Sequence, residues 1–170
     1  VTDADAPLSP SYITAQDEIF LVISANDLNV YGSDVADGTS WNALSFAGKT
    51  GQGDYVVAAI TNKELVYVLG TYTSDTWRNN GASTFSFEPA GLGSFFNYGC
   101  AAAGSVAKGN DTIFWLGQSF QGGKTILTIT NTYTPQVIAS RAITYQINQL
   151  STTSDAFGYC YEKSGHQFYV

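Results

Sequence analysis

Paired apolar runs joined by short polar turns recur along the 170-residue chain, and this pattern constrains its fold most strongly. The pattern occurs at 104–118, at 58–71 and, less clearly, at 20–33. The polar turns contain Asn110, Asn62 and Asn26 respectively, and each second run ends at a glycine. Asn, Asp and Gly tolerate the left-handed backbone of two-residue hairpin turns. Each copy therefore predicts a β-hairpin with an asparagine at its tip.

The apolar runs IFLVI, LVYVL and IFWL do not alternate apolar with polar residues. A sheet with one solvated face would alternate, so these strands are predicted to be covered on both faces. The stretch STFSFEPAG also repeats SWNALSFAG, with Phe87 matching Phe46, which extends each unit to about four strands. The sequence predicts an all-β protein of antiparallel, propeller-like blades that form a partial propeller.

The remaining segments predict the domain organisation. Residues 1–18 are acidic and carry two prolines in their first ten positions, which predicts an extended arm or linker before a repeat domain at 19–170. One short helix is predicted at 140–150, because Ile143, Ile147 and Leu150 are spaced for one helical face behind an N-cap at Ser140. Residues 155–170 repeat only the first half of a unit, and the chain lacks methionine. We therefore expect a fragment of a longer chain.

The composition excludes several classes of function. The net charge of −7 repels phosphate chains and argues against direct nucleic-acid binding. No apolar run reaches the roughly 18 residues of a membrane-spanning helix. Cys100 and Cys160 resemble neither a disulfide framework nor a metal site, so both are predicted to be reduced and buried. No cofactor is predicted.

The residues that could carry catalysis are few. The lone histidine, His166, has no second histidine or nearby nucleophile, so it is predicted to be exposed or to make a structural hydrogen bond. Acidic residues that could act as acid and base in a glycosidase are predicted in loops, where we expect them to be solvated: Asp34, Asp37, Asp54, Asp75 and Glu88. The sequence predicts no enzyme and no catalytic residue.

Tryptophans and glycine clusters have both structural and binding interpretations. Trp41, Trp77 and Trp115 could stack on sugars, but their positions favour packing in the core. The clusters Gly91/Gly93 and Gly122/Gly123 lack the context of a phosphate-binding loop and are predicted to be turns.

Three segments of the sequence together resemble a known family. They are FNYGCAAAGSVAKGNDTIFWLG, YTPQVIASRAI and SDAFGYCYEKSGHQFYV, and DGTSWNALSFA and TSDTWRNNG match as well. The chain resembles, from about residue 20 onward, the packaged-DNA stabilisation proteins of short-tailed bacteriophages. Cys160 departs from the pattern, since another residue is expected there.

The resemblance implies a structural protein of the virion tail, assembled in the bacterial host cytoplasm. Such proteins close the portal after genome packaging, stabilise the packaged DNA and form part of the tail hub. The implied partners are portal-side proteins, the tail needle or spike, and further copies of the chain in a ring. The alternatives are a glycan-binding propeller module of an adhesin or tail protein and, less favoured, a propeller hydrolase.

Overall fold

The computed structural model describes residues 2–130 and 133–170, which form four antiparallel sheets and one α-helix. The first sheet has the order β1-β2-β3-β4 and contains β1 (Pro10–Gln16), β2 (Ile19–Ser24), β3 (Asn29–Asp34) and β4 (Asp37–Gly48). The second sheet contains β5 (Val56–Asn62), β6 (Leu65–Gly70), β7 (Ser74–Asn79) and β8 (Phe87–Pro89) in that order, with β9 (Phe95–Phe96) paired to β7.

The third sheet has the order β10-β12-β13-β14, and β11 also pairs with β12. Its strands are β10 (Gly99–Cys100), β11 (Ala107–Gly109), β12 (Thr112–Gln118), β13 (Lys124–Ile129) and β14 (Gln136–Val137), with a 3-10 turn at Ala103–Ser105. The fourth sheet is the hairpin of β15 (Cys160–Lys163) and β16 (His166–Tyr169). Four strands per unit and a final half unit are thus confirmed.

The second and third sheets are covered on both faces, as LVYVL and IFWL predict. The same prediction was wrong for IFLVI in β2, where Phe20 is 41% exposed on the face turned away from the second sheet. On β6, Val66 and Val68 pack into a core shared with the first sheet. The alternate residues Tyr67 and Leu69 pack into a second core with the third sheet, around Trp115. Because strand side chains alternate between faces, a run apolar at every position fills both cores.

The copy at 20–33 forms a hairpin, as predicted, but this hairpin lies one strand later in its sheet than the hairpins of the other two copies. The copies at 58–71 and 104–118 form β5–β6 and β11–β12, whereas the copy at 20–33 forms β2–β3. The matching hairpin in the first sheet is β1–β2, which turns at Asp17 and Glu18 with φ of 50° and 63°. Those two positive angles suit a type I′ turn, in which Asp17 is a favourable residue but Glu18 is not. The sequence signal there was correspondingly weak.

Two of the three predicted hairpin tips are confirmed. Asn26 and Asn110 lie in turns with φ of 59° and 42°. Asn62 is instead the last residue of β5, and Lys63 holds the left-handed turn position with φ of 56°. Asn62 is buried, and its Nδ2 donates to the carbonyl of Asp111 at 2.7 Å. It joins the second sheet to the third.

Part of the predicted arm belongs to the first sheet. Strand β1 lies within residues 1–18 and pairs with β2 from Pro10 to Gln16. Three hydrogen bonds hold residues 2–9 against this sheet, one of them from the Ala25 N–H to the Ser9 carbonyl at 3.3 Å. Ser24 Oγ donates to the Leu8 carbonyl at 2.7 Å, and the Trp41 N–H donates to Asp3 Oδ2 at 3.1 Å.

The predicted helix is present as α1 (Arg141–Gln149), and the Ser140 hydroxyl accepts from the Ile143 N–H at 3.3 Å. Asn148 attaches it to the third sheet. Its amide accepts from the Lys124 N–H and donates to the Lys124 carbonyl, both at 2.8 Å. These two bonds satisfy the backbone at the start of β13, which the short strand β14 does not reach.

Candidate functional site

The candidate carboxylates do not form one site. Asp34 and Asp37 face each other across the β3–β4 turn and are exposed. Glu88 lies in β8 and pairs with Arg78 at 3.1 Å. Asp75 lies in β7 and is fully buried. Asp34 ends β3 and Asp37 begins β4, so the predicted loop position is confirmed only for Asp54. Although Asp75 lies in a strand, it contacts the connection between the first two sheets at Thr50.

Asp54 and Asp75 converge around Lys49, whose side chain is 1% exposed. Lys49 Nζ pairs with Asp54 and also donates to the carbonyl and hydroxyl of Thr73, both at 3.0 Å. Asp75 Oδ2 accepts from the N–H and hydroxyl of Thr50 at 2.7 and 2.9 Å. Together these bonds attach the connection between the first two sheets to β7.

The cluster changes the pKa values of Lys49 and Asp54. Burial lowers the pKa of Lys49, and the hydrogen bond and charge of Asp54 offset this only in part. Burial alone would raise the pKa of Asp54, but hydrogen bonds from Lys49, Thr73 and the Tyr72 N–H outweigh it and lower that pKa. Both shifts follow from a charge pair held away from water.

This cluster is built to hold the fold. Lys49 and Asp75 are sealed from solvent, so a bulky substrate cannot reach them. No sequence pattern identified Lys49 as a functional residue. It lies between Gly48 and Thr50, and only the fold brings its partners to it. Among residues 2–130 and 133–170, no group of three or more His, Cys, Asp or Glu side chains is placed to hold a metal ion.

The other singled-out residues have mostly structural positions. Trp115 and Trp77 are fully buried in the two cores, and Trp41 is 9% exposed beneath the arm, which confirms packing and leaves little tryptophan surface for a sugar. His166 is exposed at the start of β16. Both glycine clusters are turns with positive φ, as predicted.

Both cysteines are free, as predicted, but only one is buried. Burial raises the pKa of the Cys100 thiol to about 11. Cys160 lies at the start of β15 and is partly exposed, so the prediction of burial was wrong for it.

The stack of sheets leaves apolar surface at each end. On the fourth sheet, Tyr161 and Phe168 face each other across the hairpin with stacked rings 5.1 Å apart, and both are more than 40% exposed. On the first sheet, Ile13 and Phe20 are exposed on the face turned away from the second sheet. Contiguous exposed apolar surface of this kind marks interaction sites. Ile13 was not singled out in the sequence, and Phe20 was predicted to be covered.

The described residues contain no helix long and apolar enough to cross a membrane. Face-to-face stacking of four-stranded antiparallel sheets places the chain among the β-propeller type of proteins. A sequence model of the family described as bacteriophage P22 Gp10, β-propeller, matches residues 6–170. The chain belongs to this phage stabilisation family, and it is a structural protein of the phage virion. No curated protein matches the chain at a significant level.

Proposed function

We propose that this protein closes the portal after genome packaging, stabilises the packaged DNA and forms part of the tail hub. The family match over residues 6–170 is the observation that carries the proposal. The architecture agrees with a mechanical role, because its buried polar cluster fixes one sheet to the next and apolar side chains are exposed at both ends of the stack.

The end faces support assembly with other virion components. A protein that exposes Ile13 and Phe20 at one end and Tyr161 and Phe168 at the other gains free energy when both are covered. We propose that further copies of the chain in a ring, portal-side proteins and the tail needle or spike cover them. This assembly would take place in the host cytoplasm before the virion is released.

The charge of the chain suits a part beside the DNA exit path. A net charge of −7 repels the phosphate backbone, so DNA can pass without adhering. The proposed function therefore requires no sequence-specific contact with nucleic acid. Retention of the genome would come from blocking the portal.

The test uses DNA-filled heads prepared without this protein. Adding the protein should make the packaged DNA resistant to nuclease, and Phe168→Ser should weaken this protection because it removes apolar contact at an end face. Tyr145→Ser is the matched control, since Tyr145 is 67% exposed on α1 away from the fourth sheet. Heads that retain DNA equally well without the protein would refute the proposal. A glycan array should show no binding, whereas a specific sugar would favour the glycan-binding alternative.

A further inference from the structure

The outward face of the first sheet forms the floor of a groove of about 700 Å³. Its lining is mainly apolar and comes from the arm, β1, β2 and β4, including Pro7, Leu8, Ile13, Phe20, Val22 and Trp41. Ile13 is 60% exposed and Phe20 is 41% exposed. A concave apolar surface of this size is typical of a binding site, since such pockets commonly measure about 300–1,000 Å³.

The arm determines what can enter this groove. Residues 2–9 are bonded to the sheet through Leu8 and Asp3, so they lie over part of its outward face. Two sheets pack face to face across about 10 Å of interdigitating side chains, which needs a clear surface. With the arm in place, the groove suits a single extended segment better than another whole sheet.

The charge around the groove is strongly one-sided. Residues 2–48 contain 7 of the chain's 14 acidic residues and no Lys, Arg or His. The other 7 acidic residues are balanced by all 7 Lys and Arg residues, so the first sheet and its arm carry the whole net charge of −7. Among the residues that the structure describes, all three ion pairs fall at Lys49 or beyond. The acids of the first sheet are therefore unneutralised.

The fold gathers several of these acids at one end of the groove. The Ala36 N–H donates to the Glu18 carbonyl at 2.9 Å, which brings the β1–β2 and β3–β4 turns together. Phe20 and Gly38, which line the groove, lie next to these turns, and a Cβ on Gly38 would sit 2.7 Å from the Phe20 ring. The acidic residues in or beside the two turns are Asp17, Glu18, Asp34 and Asp37.

We propose that the groove binds a basic segment of a partner protein. The segment's apolar side chains enter between the arm and the sheet, and its Lys or Arg side chains lie against the acidic end. Charge complementarity selects a basic partner, because an acidic or phosphate-bearing one would be repelled by the first sheet and its arm, which carry the whole net charge of −7. The proposal does not depend on portal closure, so failure of one leaves the other standing.

The binding test uses the full chain and two fluorescent peptides. In one peptide Leu and Lys alternate, and in the other Glu replaces every Lys. Fluorescence anisotropy should show binding of the Leu/Lys peptide only, and its affinity should fall as salt is raised, since salt screens exposed charges. Equal binding of both peptides, or binding that salt does not change, would overturn the proposal.

Two variants and a control locate the contact. The double variant Glu18→Gln/Asp34→Asn keeps the shape of the turns and should weaken Leu/Lys binding by about two- to tenfold, the effect of losing two exposed charge contacts. Ile13→Lys should abolish binding, and an unchanged circular dichroism spectrum would show that it folds. Asp155→Asn/Glu162→Gln neutralises two exposed acids outside the first sheet and should have no effect.

Light scattering on the same variants tests the competing occupant, a second copy of the chain. If neither peptide binds, or if the control weakens binding as much as the groove variant, the assignment is wrong. If instead Ile13→Lys dissociates an oligomer of the chain and no peptide binds, the groove is an interface between copies.

Discussion

The most direct test of the stacked-sheet core is Trp115→Ala. Trp115 is fully buried between the second and third sheets, 6.4 Å from the Phe96 ring, and its Nε1 donates to the Gly99 carbonyl at 3.1 Å. Truncating a buried tryptophan costs about 3–5 kcal/mol through lost contacts and the cavity left behind. The same change leaves the Gly99 carbonyl without its donor, which adds about 1 kcal/mol or more. We expect a loss near the top of that range.

Urea unfolding measures this loss. With a slope of about 2 kcal/mol/M, a destabilisation of about 5 kcal/mol lowers the midpoint by about 2.5 M. Trp115→Phe keeps an aromatic ring beside Phe96 but loses the hydrogen bond, so it should fall between the parent and Trp115→Ala. Tyr145→Ala, on the exposed surface of α1, should change the free energy of unfolding by less than about 0.5 kcal/mol. A Trp115→Ala midpoint within error of the parent would refute the two-sided burial of β12.

Three further predictions concern the charge cluster, the cysteines and the helix. Asp54→Asn leaves Lys49 buried without its counter-ion and should cost about 3–5 kcal/mol at neutral pH. Because the folded pKa of Asp54 lies below its usual 3.8, the stabilisation is complete above pH 3.8 and is lost as the pH falls through the folded pKa. The stabilities of the variant and the parent should therefore converge in acid, and a difference that stays constant with pH would contradict this. Iodoacetamide should label Cys160 in the folded protein and Cys100 only on unfolding, since burial raises the pKa of Cys100 to about 11, and equal labelling rates would disprove the difference. Asn148→Ala should speed hydrogen exchange at the start of β13 and cost about 0.5–1.5 kcal/mol, whereas Gln149→Ala should do neither.

Much of the architecture could be predicted because it depends on local patterns. The run LVYVL has no polar position, so either face of β6 is stable only against another sheet. The Ser140 cap and the spacing of Ile143 and Ile147 specify a helix within a few residues. Four strands per unit followed from the match of Phe46 with Phe87, which lie on the fourth strands of their sheets.

The position of the first hairpin within its sheet was harder to predict from the sequence. The β1–β2 turn places Glu18 after Asp17 in a left-handed conformation that glutamate seldom adopts, so the turn has no clear sequence signal. The pattern was therefore matched to the next hairpin, whose tip holds an asparagine. Pairing energy along β1 and β2 imposes this turn, so the choice belongs to the whole sheet.

The sequence by itself determined a chain of antiparallel sheets stacked through apolar faces, because each strand's burial is encoded in its own side chains. The tertiary structure alone decided the two features that depend on residues distant in the chain. Lys49 meets Asp54 and Asp75 only when the connection folds against β7, and the acidic groove exists only because the arm folds back over the first sheet. Such contacts are selected by the geometry of loops and by the desolvation of charges, and neither quantity can be read from local residue order.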